Sequence, residues 1–153
     1  MKYNNINNTS NTNNAFSKIN NVNIIPVIRY FNIDTGKSFI YRENRNKSAV
    51  YRLVNKINGK TYIGSSTSLS NRLSIYYSLD TLKKVKGSII IYRALLKYGH
   101  SNFSLDILEY CESNVLIARE KYYIDLLKPE YNIKIANSRQ SSKDSEVTKT
   151  KMS

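Results

Sequence analysis

The sequence predicts an α/β (α+β) domain in which short antiparallel strands are flanked by helices. Three observations carry that prediction. "AVYRLVNKINGKTYIGSS" (49–66) reads as a hairpin around Asn58-Gly59, "FSLDILEY" (103–110) alternates like a further strand, and three segments carry apolar stripes at helical spacing.

Residues 1–23 are Asn-rich and hold too few apolar side chains to offset the entropy of ordering, so they are expected to be a disordered arm. Residues 24–47 follow as an extended lead-in. Within it "NIIPVIRYFN" (23–32) is β-branched and aromatic but broken by Pro26, which suits an edge strand, and "DTGKSFIYRENRNKS" (34–48) runs polar and basic into the hairpin. A two-residue loop at Asn58-Gly59 sets 57 opposite 60, 55 opposite 62 and 51 opposite 66. Tyr51 and Tyr62 then project from the same face.

"STSLSNRLSIYYSL" (66–79) has Ser/Thr caps before a stripe of Leu69, Leu73, Tyr76 and Leu79, with Arg72 inside the stripe. A basic hinge, "KKVKG" (83–87), leads to a helix through "SIIIYRALLKYG" that Gly99 closes. The strand at 103–110 sets Phe103, Leu105 and Ile107 on one side and, if the alternation persists, Glu109 with them. A last helix starts at Ser113 as N-cap and stops at Pro129. "EYNI" (130–133) is expected to be an extended end, and residues 136–153 a polar linker with a nascent helix in "DSEVTKTKM".

Composition narrows the function classes. With 24 Lys and Arg against 11 Asp and Glu the net charge is +13, the balance of a polyanion-binding protein, although a merely basic surface would also produce it. The surplus is distributed: residues 48–137 hold 13 basic and 7 acidic side chains, a difference of +6. One Cys excludes an internal disulfide, and with one His it leaves no zinc set, so a metal site would use oxygen ligands and favour Mg²⁺ or Mn²⁺. No apolar run reaches membrane-spanning length. The first residues have neither the apolar stretch of a signal peptide nor the arginines of a matrix-targeting helix. Heavy use of Asn, Ile, Lys and Tyr, all encoded by A/T-rich codons, points to an A/T-rich genome, of which organelle genomes are one kind.

Two charges sit on apolar stripes. Glu120 falls in register with Leu116, Tyr123, Ile124 and Leu127, and a buried carboxylate needs a cation, a hydrogen-bond network or access to solvent. Arg72 poses the same problem with opposite sign. Either the two pair as a salt bridge stapling two helices, or they flank a polar pocket with Tyr51 and Tyr62; periodicity leaves both open. Tyrosines on a strand are also ordinary core or rim residues.

"AVY" at 49–51, ten residues, "YIG" at 62–64, an Arg eight residues after that Gly, a Glu on a later helix and "YNI" after a Pro resemble the GIY-YIG nucleases, in particular the homing endonucleases of fungal organelle introns. The likeness is dense in "NKINGKTYIGSS", "RALLKYG", "NFSLDILEY" and "EKYYIDLLKPEYNI" and covers about residues 48–135. It implies a three-stranded antiparallel sheet flanked by helices that cuts one phosphodiester bond with a single divalent metal. By that resemblance Glu120 holds the metal, Arg72 contacts the scissile phosphate, and Tyr51 and Tyr62 position or deprotonate the attacking water. Gly64, Tyr76 and Asn132 support the site. The basic residues Lys60, Lys83, Lys84, Lys86, Arg139 and Lys143 are the expected contacts to double-stranded DNA. Ala49 and Val50 replace the motif's Gly and Ile, and Tyr76 stands where some members carry a His. Residues 136–153 resemble the start of a DNA-binding module. The implied protein is a mitochondrial, organelle-encoded monomer away from membranes. A DNA-binding protein that no longer cuts is the alternative; an intron RNA splicing helper is a third, with no RNA-recognition motif to support it.

Overall fold

The computed structural model describes residues 24–85 and 89–132. Its strands are Ile28–Tyr30 (β1), Ala49–Asn55 (β2), Thr61–Ser66 (β3) and Phe103–Tyr110 (β4). Its helices are Lys37–Glu43 (α1), Leu69–Tyr77 (α2), Leu79–Val85 (α3), Ile90–Tyr98 (α4) and Leu116–Leu127 (α5). The strands form one antiparallel sheet in the order β1-β4-β2-β3. The fold is thus α/β as expected, with a fourth strand, because the lead-in after Pro26 pairs with β4 as an edge.

The sheet separates two cores. On one face Tyr51 and Leu53 of β2 and Phe103, Leu105 and Ile107 of β4 pack with Ile40, Leu69, Leu73, Tyr76, Leu82, Ile91 and Leu95 from α1 to α4. On the other, Val50, Ile63 and Leu108 pack with Leu116 and Tyr123 of α5. That face also carries a charged ladder. Arg29, Asp106 and Arg52 are in register across β1, β4 and β2. Arg29 donates to Asp106 at 2.7 and 3.2 Å, and Arg52 donates to it at 3.0 and 2.8 Å. Burial alone would raise the Asp106 pKa, but the Arg52 and Arg29 guanidinium groups outweigh it and hold the carboxyl below its ordinary value.

The hairpin is present, but its loop is longer than two residues. Asn55 N–H donates to Lys60 O at 2.9 Å and Tyr51 faces Gly64, so residues 56–59 form a four-residue loop. The Asn55 carboxamide accepts from Ile57 N–H and the Asn58 carboxamide from Lys60 N–H, and Gly59 has φ +79°. These local side-chain bonds extend the turn. Because the shift is two residues, Tyr51 and Tyr62 still share a face.

Other segments depart from expectation for local reasons. The polar stretch after Asp34 contains α1, which buries Ile40 and is capped through Asn44, whose carboxamide donates to Ile40 O and Tyr30 Oη. The second helix ends at Tyr77, and Leu79, half exposed, opens α3, so Lys83 and Lys84 lie on a helix rather than a hinge. A β-bulge opposite Val50/Tyr51 sends Glu109 away from Ile107 to the α5 face, where Arg119 and Tyr123 donate to it at 2.8 and 2.9 Å. Ser113 starts a 3₁₀ turn and α5 begins at Leu116. Residues 130–132 are helical rather than extended. Gly99 closes α4 with φ +86° as expected. The expected arm at 1–23 and the tail helix lie outside the described residues.

Asp106→Asn is expected to destabilise the fold by about 3–5 kcal/mol, since it leaves two guanidinium groups on a buried face without a counter-charge. Urea unfolding monitored by circular dichroism measures this. Because the folded-state pKa of Asp106 is depressed, its contribution is fully present above the unfolded value of about 3.9 and is lost as pH falls through the folded value. The variant's stability should therefore vary less with pH below about 4.

Candidate active site

Strand β3 is the edge of the sheet, and its alternation sends Tyr62 and Gly64 to the face of α2 and α4, and Ile63 and Ser65 to the face of α5. Opposite Gly64 stands Tyr51. A Cβ on Gly64 would lie 2.5 Å from the Tyr51 hydroxyl and 2.7 Å from its Cζ, so only glycine lets the phenol cross the strand. That phenol is buried and shares a hydrogen bond of 2.5 Å with the Tyr76 hydroxyl of α2. The Tyr76 ring meets Tyr51 and Tyr92 edge-on, each at 6.1 Å between centroids. His100 Nε2 bonds the Tyr76 carbonyl at 2.7 Å, which ties the end of α2 to the turn before β4.

Arg72 lies one turn before Tyr76 and is exposed, at the rim rather than in the core that the stripe suggested. It interacts electrostatically with Tyr51, Tyr76, Tyr62 and Tyr92. Glu120 is half-buried on α5, and one of its oxygens accepts the Ser65 hydroxyl at 2.6 Å. Of the two arrangements left open for Arg72 and Glu120, the salt bridge does not form: among the described residues the ion pairs are Arg29–Asp106, Arg52–Asp106, Arg119–Glu109 and Lys121–Asp125. Both Tyr51 and Tyr62 nevertheless sense Arg72 and Glu120, so the two charges flank one group of phenols.

Burial dominates the titration of these phenols. It raises Tyr51 and Tyr62 above the ordinary phenol value; the Tyr76 hydroxyl and Arg72 pull the other way, and Glu120 adds to the rise. Tyr76 is raised well above that value, chiefly by burial and then by its tyrosine neighbours. At neutral pH the cluster is a set of neutral hydroxyls within the electrostatic reach of Arg72 and Glu120.

Asn132 braces the edge from outside. Its carboxamide accepts Ile63 N–H at 2.8 Å and donates to Ile63 O at 2.9 Å, replacing a neighbouring strand, while Glu130 accepts Thr61 N–H at 3.0 Å. Of the expected DNA contacts, Lys60, Lys83 and Lys84 are exposed, and Lys86, Arg139 and Lys143 lie outside the described residues. Sequence reasoning missed Ser65, Glu130 and Tyr92. Ser65 could have been found by alternation from Ile63; Glu130 and Tyr92 have no local signal.

Among the described residues no three His, Cys, Asp or Glu side chains converge to cage a metal. Glu120 offers a carboxylate beside the Ser65 hydroxyl, oxygen donors that suit a hard ion retaining water or phosphate ligands rather than a softer one. No helix of the described residues is long and apolar enough to cross a membrane.

Residues 47–132 match the family described as the GIY-YIG catalytic domain. Over 139 residues the chain is 32% identical to a probable intron-encoded endonuclease bI1 of Neurospora crassa, covering 84% of this chain and 30% of that protein. Over 88 residues it is 32% identical to intron-associated endonuclease 1 of Enterobacteria phage T4, covering 56% of this chain and 35% of that one. The chain thus spans about a third of the length of the curated relatives it matches. Two solved structures of the catalytic domain of the intron endonuclease I-TevI are 31% identical. One covers 57% of this chain and 93% of its own with a TM-score of 0.48, the other 56% and 94% with a TM-score of 0.45.

Gly64→Ala should force the Tyr51 ring and its hydroxyl partner apart. The expected cost is about 1–3 kcal/mol, as for overpacking a filled core. Thermal unfolding measures it. Tyr51→Phe in the same background removes the nearest atom and should return part of the loss; no recovery would locate the strain elsewhere.

Proposed function

The chain belongs to the GIY-YIG catalytic-domain family, and we propose that it is a divalent-metal-dependent endonuclease of the intron-homing type, hydrolysing a phosphodiester bond of double-stranded DNA. The observation that carries this reading is that Tyr51 and Tyr62 interact electrostatically with both Arg72 and Glu120, and Tyr51 bonds Tyr76, while no ion pair among the described residues joins the two charges. A salt bridge would have neutralised both.

In this reading Arg72, an exposed planar cation on the rim, binds the scissile phosphate. Tyr51 and Tyr62 position the attacking water; one of them, in its ionised phenolate form, takes the water's proton and becomes the neutral phenol, and Tyr76 fixes the Tyr51 hydroxyl. Ser65 orients the Glu120 carboxylate. Glu120 would hold a Mg²⁺ or Mn²⁺ ion, which would supply positive charge to stabilise the cleaved phosphate and its 3′-oxygen leaving group. Gly64 admits the Tyr51 phenol and Asn132 keeps β3 in place. Residues 48–135 are the catalytic unit, preceded by an arm (1–23) and a lead-in (24–47) and followed by the beginning of a DNA-binding module (136–153). Lys60, Lys83, Lys84, Lys86, Arg139 and Lys143 contact the DNA backbone. The chain acts as a monomer away from membranes. A mitochondrial origin is supported by the A/T-rich residue usage and the likeness to a fungal intron-encoded endonuclease.

Nicking of supercoiled plasmid in Mg²⁺ or Mn²⁺ tests the proposal. The native chain should nick, and Glu120→Ala and Arg72→Ala should each lose roughly 100-fold or more, the scale of removing an electrostatic stabiliser from a reaction centre. Absence of nicking, or equal nicking by all three, would sink the assignment and leave DNA binding without cutting.

The pH profile tests the base. Because burial raises the Tyr51 and Tyr62 phenols, the ionised fraction climbs throughout the neutral range. At fixed metal, kcat/KM should rise about tenfold per pH unit between about pH 7 and 9. A profile already flat below pH 7 would exclude a phenol as the base.

A further inference from the structure

A groove of about 790 Å³ lies between the tip of the β2–β3 hairpin and the helices α3 and α4. Its cationic lining comes from three separate parts of the fold: Lys60 directly before β3, Lys83 on α3, and Arg93 and Lys97 on α4. All four are exposed, and no carboxylate lines the groove. Nor does any of the four enter an ion pair found among the described residues. A surface that places four like charges around one depression without internal compensation is unfavourable by itself and suits a polyanion.

The groove and the candidate active site draw on neighbouring stretches of the chain. Lys60 precedes Tyr62 by two residues, directly before β3. Arg93 directly follows Tyr92, which packs on Tyr76. Arg93 and Lys97 are one turn apart on α4, so they form a row along the helix.

We propose that this groove binds the phosphate backbone of duplex DNA flanking the cleaved bond, with Arg93 and Lys97 as contacts beyond the expected Lys60 and Lys83. The inference rests on the DNA-cutting reading, and its test separates the two. Binding of the full chain to a fluorescently labelled duplex oligonucleotide is measured by anisotropy in EDTA, where no cutting occurs, over a series of salt concentrations. Four phosphate contacts give a log K against log[salt] slope of about −3.6 from this groove, since each contributes about −0.9. The double variant Arg93→Gln/Lys97→Gln should lower the magnitude of the slope by about 2 and weaken binding roughly 10- to 100-fold at 0.1 M salt. Lys121→Gln on α5, away from the groove, should leave both unchanged. Both α4 positions are exposed, so circular dichroism and melting temperature should match the native chain.

If the native chain nicks plasmid but the double variant keeps its slope, the groove is wrong and the nuclease reading stands. If the slope falls as expected and nicking is absent, the groove stands and the nuclease reading fails. Tighter binding of a single-stranded oligonucleotide than of the duplex, or an equal loss of slope in Lys121→Gln, would overturn the proposal.

Discussion

The pairing of Tyr51 with Gly64 across the β2–β3 ladder is the constraint on which the rest of the site depends. The phenol passes so close to the glycine that no Cβ fits, which makes the strand register and the residue at position 64 a single requirement. A phenol buried so completely needs a partner for its hydroxyl, and Tyr76 supplies it. Fixing Tyr76 fixes the end of α2, and Arg72 is one turn earlier on that helix. The Tyr76 ring against Tyr92 then seats α4. One steric contact on an edge strand thus sets the positions of two helices and an arginine.

The opposite face contributes by a different kind of bond. Arg29, Asp106 and Arg52 bind three adjacent strands through charge-assisted hydrogen bonds, and their register depends on β1 being added to β4. Such a cluster is sensitive to the loss of any member and poorly replaced by apolar packing one residue at a time. It holds the sheet on which α5 lies, and α5 brings Glu120 to Ser65. The edge strand β3 is where the products of the two faces meet, which explains why its free side is braced by Asn132 and Glu130 instead of being left to solvent.

What was legible in the sequence follows from which signals are local. Alternation and the Asn58-Gly59 pair revealed the hairpin and the common face of the two tyrosines; a register wrong by two preserves parity, so the inference about faces survived an error in the loop. At Glu109 it did not, because a single bulge in β4 reverses parity and nothing in "FSLDILEY" marks it. Helix α1 was illegible because it buries one residue, Ile40, and leans on Tyr30 and Tyr110, the latter 66 residues from Asn44. Arg72 was drawn into the core because it sits three residues from Leu69 and four from Tyr76, yet a stripe has margins, and a long cation at the margin reaches water.

The separation of charge from hydrogen bonding is the feature these elements produce together. The hydroxyls of Tyr51 and Tyr76 satisfy each other in the interior, where burial keeps them protonated, while Arg72 and Glu120 stand at the rim and are not neutralised by one another. Pairing them would have stabilised the free protein little, since much of the Coulombic gain is returned as desolvation. It would also have consumed the two charges through which the cluster can act on anything outside itself. The neutral interior fixes the geometry, and Arg72 and Glu120 keep their charges without neutralising each other.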